Sequence, residues 1–130
     1  MIISSNEHNL IKISSRFTFL SILLSCYYQH WDFFIMSVSI YFTSIKYWDN
    51  PKPGFWKNID IINVQFWLCY CFFISFNCKY QFTYLCFIFA GIISFLCNQI
   101  AYYFNYPWVI FHVGVHLFSN IGNVYLFSGI

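Results

Sequence analysis

The chain has 130 residues, 60% of them hydrophobic and 8% charged, whereas soluble domains carry roughly a quarter of their residues as charged side chains. So few charges cannot coat a water-soluble surface, and a net charge of +2 from six basic and four acidic residues leaves no stripe able to neutralise a run of phosphates. Composition therefore excludes an ordinary soluble domain and a nucleic-acid binder, and it points to an all-α, polytopic transmembrane helical bundle whose spans each need about 20 residues.

Residues 1–16 are polar and mixed, with Glu7, His8, Lys12 and Arg16, and read as an exposed N-terminal tail ahead of a transmembrane helical domain over 17–130. The first apolar run, 17–28, is short for a span. Basic residues followed by Leu23-Leu24-Ser25-Cys26 also have the outline of a lipoprotein signal, but no soluble mature domain follows. Gln29-His30-Trp31-Asp32 closes that run, and a second reaches Trp48. The two form either a tight hairpin or one broken helix.

Asp49-Asn50-Pro51-Lys52-Pro53-Gly54 is the clearest loop, because two prolines and a glycine deny the backbone a helical ladder. A span over 59–76 follows, with Asn58 and Asp60 as candidate caps. After the turn Asn77-Cys78-Lys79 comes a span from 80 to 97, extendable to 104. The last starts at Pro107, a residue suited to a first helical turn, and runs to about 127. This gives four spans and a fifth, the 17–28 run, that is marginal by length.

With five crossings, Lys12, Arg16, Lys46, Lys52 and Lys57 fall on one side and Lys79 on the other, which makes the N-terminus cytoplasmic and the C-terminus opposite. Six cysteines without a CxxC pair read as buried thiols rather than zinc or redox ligands. Membrane lipids are the expected surroundings, with homo- or hetero-oligomers formed through helix packing.

The most specific chemical feature is His112-x-x-x-His116 inside the last span. Residues four apart share a helix face, so both imidazoles can reach one metal ion. A catalytic zinc usually takes a third protein ligand and lowers the pKa of bound water to about 7. Interhelical hydrogen bonding is the competing role for such a pair. His30 and Asp32 form a second cluster, in which Asp32 could orient a ring or a metal-bound water, or simply belong to a polar turn. Ser21 and Ser25 could add hydroxyls, although serines also bond back to their own helix. Ser119, Asn120, Gly122 and Asn123 suit close helix packing.

The segment 106–129, carrying this HxxxH pair, resembles the last helix of the CREST superfamily of alkaline ceramidases, progestin and adipoQ receptors, hemolysin-III-type proteins and post-GPI-attachment hydrolases. The resemblance implies a zinc ion held by three histidines and a water held by an aspartate, acting on lipid amide or ester bonds. In that pattern a Ser-x-x-x-His motif closes the second helix and an Asp opens the third. Carried over, His112 and His116 are two metal ligands, His30 the candidate third, Asp32 the general base and Ser25 the accompanying serine. Counting crossings, however, starts His112 on the membrane face opposite Asp32. The competing expectation is a non-catalytic scaffold or assembly subunit of the same shape.

Overall fold

The computed structural model describes residues 5–130. Its elements in order are α1 (Ser5–Ser15), α2 (Thr18–Tyr27), α3 (Trp31–Asp49), α4 (Phe55–Ser75), α5 (Gln81–Tyr103) and α6 (Val109–Gly129). Among the described residues there is no strand, so the protein is an all-α bundle.

Helices α1 and α2 form one bent rod. Bonds reaching back three residues, from Arg16 N–H to the Ile13 carbonyl and from Phe19 N–H to the Arg16 carbonyl, tighten the turn between them without ending it. The stretch expected as an exposed tail is thus helical from residue 5. Ile11 is fully buried, and Ser14 and Ser15 nearly so. Residues 1–4 lie outside the described residues. The extra turns give the marginal first run its length, and Asn6–Tyr27 is one of four helices long and apolar enough to cross a membrane, beside α4, α5 and α6.

Helix α3 is not among those four, although the sequence predicts a span there. It has 19 residues, about 28 Å at 1.5 Å per residue, but polar side chains lower its hydropathy. Ser37, Thr43 and Ser44 face its neighbours and are buried, because α3 is flanked by α2 on one side and α4 on the other.

The rods run alternately up and down. At one end, here the Trp48 end, Lys12 pairs with Asp49 at 3.2 Å, and Ile11, Tyr47, Trp48 and Val109 pack together. The loops 50–54 and 104–108 lie at this end. At the other, the Phe127 end, the Lys79 N–H donates to the Gly129 carbonyl at 2.8 Å, and Phe33 stacks on Phe127 with centroids 4.5 Å apart. The hairpin alternative for 17–48 is the one adopted, with its turn at Gln29 in a left-handed conformation, φ 56°.

Helix α4 begins at Phe55, with Gly54 (φ 140°) as its N-cap residue and no side-chain cap; Asn58 and Asp60 are therefore inside the helix and not caps. Helix α6 begins two residues after Pro107, at Val109. Helices α5 and α6 pack closely through small residues. A Cβ on Gly114 would stand 3.2 Å from Ser94 Oγ, and one on Gly122 3.4 Å from the Phe87 Cβ.

Beside its apolar clusters the interior holds many small hydroxyl side chains. Ser14, Ser15, Ser21, Ser25, Ser37, Ser44 and Ser75 are at most 2% exposed, while Phe66, Phe73, Phe82 and Ile110 are more than 60% exposed. Small hydroxyl residues between helices with large apolar ones outside is the pattern of association in lipid, where burying a phenyl ring gains little.

Candidate functional site

Helix periodicity puts His112 and His116 on one face of α6, at the Trp48 end of the bundle, with ring centroids 5.0 Å apart. Both ring nitrogens of His112, and Nε2 of His116, are buried without a hydrogen-bond partner. The surroundings explain why. The Trp48 ring lies 4.9 Å from the His112 ring, edge to face, and Trp108 lies 6.2 Å away; neither offers the imidazoles an acceptor or a lone pair. Val113 packs on the same Ile11, Tyr47, Trp48 and Val109 cluster.

Three further polar groups gather at or near this end. The His8 Nε2 sits against the Trp48 carbonyl. The Asp60 carboxylate, in the second turn of α4, accepts hydrogen bonds from Thr43 Oγ1 at 2.8 Å and Ser44 Oγ at 3.0 Å. Asn63 Nδ2 then donates to Thr43 Oγ1 and to Ser39 Oγ, each at 3.3 Å, and Trp67 Nε1 donates to Ser39 Oγ at 3.1 Å. This seam joins α3 to α4.

The other residues singled out in the sequence stand elsewhere. His30 pairs through Nε2 with the Phe127 carbonyl at 3.0 Å, at the far end of α6. About fifteen residues of helix, roughly 22 Å of rise, separate that carbonyl from His112, so His30 does not join the HxxxH pair. Asp32, at the same end as His30, accepts a hydrogen bond from Tyr70 Oη at 2.6 Å. Ser25 donates back to the Ile22 carbonyl. Ser21 donates to Asn120 Oδ1 at 2.7 Å and accepts from Asn123 Nδ2 at 3.1 Å, which ties α2 to α6. Among the described residues no group of three or more His, Cys, Asp or Glu side chains is close enough to hold a metal ion.

The sequence signal for the polar end is visible in retrospect. Ser44 and Trp48 close the second rod and Asp60 lies near the start of the third, so the short loop between the two rods brings them to one end. Ser44 bonds Asp60 and Trp48 touches His112 at this end, whereas Ser25, His30 and Asp32 stand at the Phe127 end.

No protein-family model, curated protein or solved structure matches the chain.

Proposed function

We propose that the chain is an integral, multi-pass membrane protein acting as a non-catalytic assembly subunit, its HxxxH pair lacking the third ligand that a CREST-type zinc site would need. The observation that carries this reading is the edge-to-face contact of Trp48 with His112 at 4.9 Å. Catalytic zinc needs a third protein donor beside its water, and an indole is a hydrogen-bond donor with no lone pair to give. The donors near the pair thus do not fit the zinc centre that the resemblance implies, and no hydrolytic step is derived through one. The polar stripes and apolar exterior support helix association in lipid as the chain's business.

Zinc analysis of detergent-purified protein tests this. Well under one zinc per chain is expected, unchanged in a His112→Ala, His116→Ala double variant. Stoichiometric zinc that the double variant loses overturns the reading in favour of the second one, zinc-dependent hydrolysis of a lipid amide or ester. That alternative is favoured by one observation, the three buried imidazole nitrogens without partners, since buried polar atoms are normally satisfied.

A further inference from the structure

Helix α4 shows two opposite faces. Asp60, Asn63, Trp67, Tyr70 and Cys71 bond or pack against α3. On the reverse side Asn58, Ile62, Gln65, Cys69, Phe72 and the C-cap residue Phe76 are all exposed. Their spacing alternates four and three residues, the repeat that lets one helix seam mesh with another.

Gln65 is the midpoint of this 21-residue helix, about 15 Å of rise from either end. It is exposed and makes no hydrogen bond among the described residues. Other exposed side-chain amides, such as Gln29, Asn50, Asn77, Gln99 and Asn105, lie in turns or near helix ends, where headgroups and water reach them. At mid-span Gln65 faces hydrocarbon, which satisfies neither its donor nor its acceptor.

We propose that the outward seam of α4 is the interface with a second copy of this chain, the two Gln65 amides hydrogen-bonding across a two-fold axis along the membrane normal. The choice of occupant follows from charge complementarity. One amide carries a negative oxygen and a positive NH2 group, so two related by a two-fold axis match each other. Two copies inserted with the same topology hold position 65 at the same depth, and the axis brings Ile62, Cys69 and Phe72 opposite their own equivalents. The proposal rests on α4 spanning the membrane, and not on the reading of the histidine end.

Cys69, one turn from Gln65 on the seam and exposed, supplies the readout. The full chain retaining Cys69 alone is treated in native membranes with a mild oxidant, which takes the two thiol hydrogens as the disulfide forms. A dimer linked through Cys69 is expected, and none from a chain retaining only Cys86, which is exposed on α5. In parallel, energy transfer between two fluorophore-tagged populations of the otherwise unaltered chain in vesicles should show association, weakened about three- to twenty-fold by Gln65→Leu. Absent transfer, transfer indifferent to Gln65→Leu, or cross-linking of Cys69 to a different protein overturns the second copy as occupant. Labelling of Cys69 by a membrane-impermeant maleimide in intact cells instead shows that α4 does not span, a failure of the membrane reading itself.

Discussion

The indole of Trp48 meets the imidazole of His112 edge to face, with centroids 4.9 Å apart and planes at 69°. The contact joins the last turn of α3 to the first turn of α6. A histidine in place of the indole would bring a third imidazole to the HxxxH pair. Trp48→His is therefore expected to raise bound zinc toward one per chain, and His112→Ala in that background to abolish the gain, as read by metal analysis after gel filtration.

The Asp60 carboxylate depends on two hydroxyls from α3, at 2.8 and 3.0 Å. Removing both, as in Thr43→Val with Ser44→Ala, strips a partly buried anion of its donors and should destabilise the bundle by about 1–3 kcal/mol. Adding Asp60→Asn to the pair should recover part of that loss, since an amide carries no charge to desolvate. Unfolding in detergent micelles measures both steps. A double variant as stable as the parent would show that the seam is not a structural tie.

Asn120 links α2 to α6 by accepting from Ser21 and donates to the His116 carbonyl at 2.7 Å. Asn120→Leu should cost about 0.6–2 kcal/mol, the range for hydrogen bonds between helices in lipid. Ser25→Ala, which removes only a bond within its own helix, should be close to neutral. The same unfolding assay compares the two variants.

Gly122 faces Phe87, Ile88 and Tyr84 across the α5–α6 contact, with the nearest atom 3.4 Å from where a Cβ would sit. Gly122→Leu pushes three further carbons into that space and should destabilise by about 1–3 kcal/mol. Gly54, with nothing within 4 Å but φ at 140°, is sensitive for a different reason, because an L side chain is strained by that backbone. Gly54→Leu should hurt through the backbone alone, and relaxing its neighbours by truncation should not rescue it.

Five alternating rods put Lys12, Lys46, Lys52 and Lys57 at the Trp48 end and Lys79 at the other. By the basic excess the Trp48 end is predicted to be the cytoplasmic one. In spheroplasts or intact cells, a cysteine replacing Lys79 should react with an impermeant maleimide, and one replacing Lys52 should react only after permeabilisation. The reverse pattern would invert the orientation, and equal reactivity would mean an even number of crossings between the two positions.

The helical class and the loops at 50–54 and 77–79 were legible because low charge, proline and glycine act locally. The helix over 5–15 was not, since Ser14 and Ser15 read as solvated when their hydroxyls in fact bond back to the Ile11 and Lys12 carbonyls and turn inward. Helix α3 misled in the other direction. Its apolar run reads as a span, but Ser37, Thr43 and Ser44 form a polar stripe that two neighbours shelter. At the site, His112 and His116 were legible as a pair because four-residue spacing alone brings them together. Asp60 looked like a cap because it sits near a helix start, and its partners Thr43 and Ser44 are on the preceding rod. The crossing count did place Asp32 opposite His112, and the pairing of His30 with the Phe127 carbonyl agrees with it.

Four of the serine hydroxyls that line the interior carry an expectation for how the chain is inserted. Ser14, Ser15, Ser25 and Ser75 each donate to a carbonyl three residues earlier in the same helix, so none requires another segment before it can leave water. Each hairpin can therefore enter the bilayer singly during synthesis, and joining the rods becomes a later, separate event governed by a few cross-ties such as Ser21 with Asn120. A variant lacking such a tie should still be inserted in full and fail only afterwards, persisting as loose segments within reach of membrane proteases.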